Sequence, residues 1–82
     1  RCSETDKHFI FAMVACGSLP CTIANVAKNL GKAVTSISTT RAQLISKGII
    51  YSAKYSELDF TVPDFDGFIK RNPEYVYWLQ NK

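Results

Sequence analysis

"LGKAVTSISTTRAQLISKGII", residues Leu30 to Ile50, is the stretch whose reading decides the fold. Gly31 closes one apolar-periodic segment and Gly48 closes the next, which runs from about Ala33 to Lys47. Ile37, Leu44 and Ile45 recur at helical spacing, with Val34 a turn earlier, so the segment predicts a helix that turns these residues inward. Its other faces carry Thr35, Ser36, Thr39, Thr40, Gln43 and Lys47. Arg41, the helix's only arginine, falls between Ile37 and Leu44 on the inward stripe. Its stem is expected to pack while its head pairs with Glu57, Asp59, Asp64 or Asp66; the alternative is contact with phosphate. Ala33 stands where a capping serine or threonine is common.

Upstream, Ser3 or Thr5 can cap a first helix with Glu4 and Asp6 in its first turn. Phe9, Ile10, Met13 and Val14 form its apolar face, and Gly17 stops it after about Cys16. "GSLP" is a loop. Thr22 then caps a second helix in which Ile23, Val26, Ala27 and Leu30 make an apolar stripe ended by Gly31.

Downstream, Ile49, Ile50 and Tyr51, the turn "SAKYSE", and Leu58, Phe60 and Val62 alternating with Asp59 and Thr61 predict a two-stranded hairpin stopped by Pro63. A hairpin alone is marginal in water, so it must pack on the helices. Asp64 is expected to cap a short helix with Phe65, Phe68 and Ile69 inward, broken by "RNP". The domain is thus read as residues 1–71, followed by a 72–82 tail in which Asn72 and Pro73 can start another helical turn or two. Tyr75, Tyr77, Trp78 and Leu79 in that tail either fold back onto the first helix or form a partner or homodimer surface.

At 82 residues, 46% hydrophobic and 21% charged, the chain is a single small globular domain rather than a disordered one. Ten Lys and Arg against seven Asp and Glu leave a net charge of +3, a mild bias toward anionic partners. No apolar run approaches a transmembrane span and no signal-peptide pattern opens the chain, so a soluble, cytoplasmic protein without membrane contact is expected. Beginning at Arg1 rather than Met is expected of a piece of something longer. Cys2, Cys16 and Cys21 read as free thiols. With His8 they lack the paired C-x-x-C spacing of a zinc site, and His8 itself reads as a boundary residue.

The element order resembles a winged helix-turn-helix: an α+β, mostly helical fold with a three-helix core, a two-stranded wing and one or two short C-terminal helices. Leu30-Gly31, Ile37-Ser38, Leu44 and Lys47-Gly48-Ile49-Ile50 resemble the MarR-type pattern. "DKHFIFAMV", "IANVAKNLGK", "TTRAQLISKGIIYS" and "LDFTVPDFDGFIKR" resemble the C-terminal winged-helix domain of bacterial AAA-type ATPases, including those related to archaeal P-loop ATPases. The resemblance covers roughly residues 6–71. It implies a non-catalytic accessory domain, with any ATP-binding chemistry in a preceding domain of a parent chain. "GKAVTS" lacks the spacing and the preceding strand of a P-loop. One histidine and no nucleophile with a base leave no candidate active site, so neither an enzyme nor a cofactor is expected.

Double-stranded DNA is the partner these features favour. The third helix would enter the major groove with Thr35, Ser36, Thr39, Thr40 and Gln43 toward bases and phosphates. Lys28, Lys32 and Lys47 would meet phosphates, and Lys54 and Tyr55 at the wing tip, about residues 52–57, would reach flanking DNA. The alternative is a protein-interaction or dimerisation module, docking a second copy or a parent-chain ATPase domain, without significant DNA binding.

Overall fold

The computed structural model describes residues 3–17, 19–54 and 57–81. Among them the order is α1 (Glu4–Val14), β1 (Cys21–Thr22), α2 (Ile23–Leu30), α3 (Val34–Ser46), β2 (Ile50–Lys54), β3 (Glu57–Phe60), α4 (Phe65–Lys70) and α5 (Pro73–Gln80). The fold is α+β, with five helices around one antiparallel sheet of order β1-β3-β2.

Helix α1 is the centre of the molecule. The Ser3 hydroxyl accepts the Asp6 N–H at 3.2 Å and so caps it. Every residue from Phe9 to Val14 is buried, so the helix is enclosed on all sides rather than on the single face its periodicity predicts. It ends at Val14, two residues earlier than expected, and Gly17 at φ +92° redirects the chain.

Thr22 caps α2 by accepting the Asn25 N–H at 3.2 Å, and Gly31 ends it in the left-handed conformation. Residues 31–33 then turn the chain into α3, whose N-cap Ala33 supplies no side-chain hydrogen bond. Asn29 on α2 donates to the Ala12 carbonyl of α1 at 3.0 Å, locking the two helices together.

The hairpin pairs Ile50 with Phe60 and Tyr51 with Asp59, and a bulge between Ser52 and Lys54 carries the register to Lys54 opposite Glu57. Leu58 and Phe60 point into the core beside Ile50. Strand β3 stops at Phe60, and Val62, expected inward, is exposed because the chain has already left the sheet. A third strand was not expected. Cys21 and Thr22 pair with Leu58 and Glu57, which makes β3 the middle strand and ties the wing-like hairpin to the start of α2.

The C-terminal elements close the core with two departures from expectation. Asp64 sits at φ +62° and makes no side-chain cap, so α4 begins without the bond its sequence suggests. Phe68 is 58% exposed, although Ile69 beside it is buried and Phe65 packs edge-on against Phe60 at 4.9 Å. Val34, at the first position of α3, is also exposed. Asn72 caps α5 as expected, accepting the Glu74 N–H at 2.8 Å.

Candidate nucleic-acid interface

Helix α3 buries Ile37, Thr40 and Leu44, and Ile45 packs at the edge of the same core. The 37, 40, 44 spacing is an i, i+3, i+7 stripe, which places Thr40 inside at 7% exposure. Thr40 is therefore withdrawn from the outward face on which the sequence placed it. Thr35, Ser36, Thr39 and Gln43 are all exposed. The Ser38 hydroxyl, beside them, donates to the Thr35 carbonyl at 3.0 Å. Arg41 is half-buried at the margin of the stripe, as its position predicts. Among the described residues, however, it forms no ion pair with Glu57, Asp59, Asp64 or Asp66.

Lys47 is the larger correction. Its ammonium donates to Asp6 Oδ2 at 2.5 Å, and Asp6 is 1% exposed at the start of α1. The ion pair joins the first turn of α1 to the end of α3 across 41 residues of sequence. Lys47 is thus committed to a buried carboxylate, and its charge is offset before any phosphate arrives. Asp6 Oδ1 is buried with no hydrogen-bond partner among the described residues.

Lys28 and Lys32 are exposed at the end of α2 and in the turn, and neither forms an ion pair among the described residues. Lys54 is exposed on β2, but Glu57 stands opposite it in the hairpin register and offsets part of its charge. Tyr55 lies outside the described residues.

Acidic residues are unevenly distributed along the sequence. From Lys7 to Ser56 there is no aspartate or glutamate, while Lys7, Lys28, Lys32, Arg41, Lys47 and Lys54 all fall in that span. All seven acids, Glu4, Asp6, Glu57, Asp59, Asp64, Asp66 and Glu74, lie outside it. Helices α2 and α3 and strand β2 are therefore free of acidic side chains of their own.

The tail residues divide. Tyr75 is buried with its ring 5.6 Å from Phe11, edge to face, and burial pushes its phenol pKa up. Trp78 lies 5.7 Å from Phe11 and 6.2 Å from Tyr75, and Lys7 reaches Glu74 at 3.4 Å. This half of the tail folds back onto α1. Tyr77, 70% exposed, and Leu79 face outward with Val76.

Of the cysteines, Cys21 is buried in β1, and burial together with the neighbouring Cys16 thiol pushes its pKa up to about 12. Cys16 donates to the Ala12 carbonyl at 3.4 Å, and both thiols are free. Cys2 lies outside the described residues. Among the described residues no three His, Cys, Asp or Glu side chains cluster as a metal site would need, and no helix is long and apolar enough to cross a membrane.

These features define a small α+β domain with an acid-free helical face. The chain belongs to the family described as a domain of unknown function, DUF8462, whose model matches residues 1–69. No curated protein and no solved structure matches it.

Proposed function

We propose that this chain is a DNA-binding module of the winged-helix type, with α3 as the helix that enters the major groove and the β2–β3 hairpin as its wing. The observation that carries the reading is the exposed face of α3, Thr35, Ser36, Thr39 and Gln43, set in a span that has no acidic residue. Hydroxyls bond bases or phosphates and glutamine can pair with adenine, while Lys28 and Lys32 hold the backbone. The three-residue turn between α2 and α3, and β1 closing the sheet beside the hairpin, are the arrangement such a module would use. An accessory role beside an ATPase domain, or in a regulator, rests on the sequence resemblance alone.

Amide chemical-shift mapping with a short random duplex tests the reading. Shifts are expected at Lys28, Lys32, Thr35, Ser36, Thr39, Gln43 and Lys54. Shifts confined to α4 and α5, or none at low salt, would refute it. A second reading, a protein-contact module, is favoured by the outward Val76, Tyr77 and Leu79 on α5. It predicts a concentration-dependent dimer that is lost on Tyr77→Ser.

A further inference from the structure

A cleft of about 580 Å³ opens between the start of α1, the end of α2 with its turn, the first turn of α3, and α5. That volume lies in the range of pockets that hold small molecules, roughly 300–1,000 Å³. Its apolar surface is half-buried Leu30 and Trp78, held from beneath by buried Phe9 and Ile37, and the Trp78 indole stands beside the His8 ring, 6.4 Å between centroids and tilted by 31°. Its polar part includes Lys28, Lys32 and Ser36 beside Thr5 and Asn29. Glu4, the one acid on the wall, already engages His8 at 3.3 Å, while the two lysines have no ion pair among the described residues.

We propose that this cleft binds a small anion built on a planar ring, a ring that carries a carboxylate or a phosphate. The ring lies against Trp78 over the apolar floor, and the anionic group meets Lys28 and Lys32. Lysines alone would attract any anion; the indole and the apolar floor select one with a flat apolar body. Gly31, at φ +68°, has no heavy atom within 4 Å of the place a β-carbon would occupy, so the turn itself does not fill the space. The positive end of α3, which Ala33 leaves without a side-chain cap, adds to the attraction. Lys28, Lys32 and Ser36 are shared with the proposed DNA face, so an occupied cleft and a bound duplex would compete. The ligand site itself does not depend on the DNA reading.

Trp78 is the only tryptophan in the chain, so its fluorescence reports on this cleft directly. The full chain is titrated, without DNA, with adenosine monophosphate and with benzoate. Adenosine, benzamide and inorganic phosphate serve as probes that lack the charge or the ring, and amide shifts over residues 28–36 are followed in parallel. At least one ring anion is expected to saturate with Kd below about 1 mM, and whichever does so identifies the anionic group. Its neutral analogue and phosphate should bind at least about fivefold more weakly, and Lys28→Gln with Lys32→Gln should weaken it about tenfold or more. The proposal is overturned if neither ring anion saturates by about 10 mM. It is equally overturned if the uncharged or ringless probes bind as well, or if the double variant, folded by circular dichroism, binds unchanged.

Discussion

Replacing Lys47 with methionine is expected to be among the most damaging changes available on the outer surface of this domain. Lys47 is partly exposed, 38% at the side chain, yet Asp6 beneath it is 1% exposed and already has one oxygen without a partner. Removing the ammonium strands a buried carboxylate, a loss that runs to about 3–5 kcal/mol when one member of a buried pair is deleted. An 82-residue domain has roughly 4–12 kcal/mol in all, so the variant loses a large fraction of its stability. The reverse deletion is milder. Asp6→Leu removes the buried carboxylate and leaves Lys47, 38% exposed at the side chain, within reach of water, and about 1–2 kcal/mol is expected. The double variant should lie within about 1–2 kcal/mol of the parent, because the stranded charge is gone. Urea unfolding followed by circular dichroism measures all four corners of this cycle, and a coupling of about 2 kcal/mol or more is expected. A Lys47→Met loss below about 0.5 kcal/mol, or additive single effects, would refute the reasoning, since either means that the pair is an ordinary surface contact.

Other expectations follow from the same geometry. Ala33→Ser should supply the missing cap of α3 and raise stability by about 0.5–1 kcal/mol in urea unfolding. Tyr75→Ala should cost about 3 kcal/mol through its lost packing on Phe11 and Trp78, whereas Tyr77→Ala should change stability by less than about 0.5 kcal/mol. For Cys21 the folded-state pKa is raised, so the native state holds its proton more tightly than the unfolded chain does. Its contribution to stability is complete below the ordinary thiol pKa of 9.0 and is lost as pH rises toward about 12. Unfolding free energies measured from pH 8 upward should therefore decline, and Cys21→Val should flatten the first part of that decline.

Helices α1, α2 and α5 were legible because each opens on a local side-chain cap. Thr22, Gly31 and Asn72 act on backbone within a few residues, so their roles can be read without the fold. The failures are long-range. Strand β1 has two residues and exists only because Leu58, far along the chain, lies beside Cys21. Asp6 looks like a routine first-turn acid until the end of α3 covers it. Phe68 and Val62 were assigned inward from hydrophobicity alone, but α4 presents Ile69 and Phe65 to the core instead, and the sheet ends before Val62.

At the candidate interface, Lys28, Lys32, Thr35, Ser36, Thr39 and Gln43 stand on or beside the face that the helical period assigned to them. Thr40 was misplaced because it and Arg41 stand at i+3 and i+4 from Ile37, and the stripe takes in both rather than Arg41 alone. Lys47 was misread because no local pattern marks a lysine whose partner is 41 residues away. The acid-free span from Lys7 to Ser56 was readable by inspection, and the net charge of +3 does not display it.

The central claim, that the α2–α3 face holds DNA, is tested most directly by the salt dependence of binding to a random duplex, measured by fluorescence anisotropy. Lys28, Lys32 and Lys54 contribute at most about 0.9 each to the slope of log K against log salt, so a slope of about −2 to −3 is expected. Lys28→Gln with Lys32→Gln should take away about 1.8 of it, while Lys47→Met, under conditions where it stays folded, should leave it nearly unchanged. No binding at about 50 mM salt, or a slope that survives loss of Lys28 and Lys32, would contradict the account.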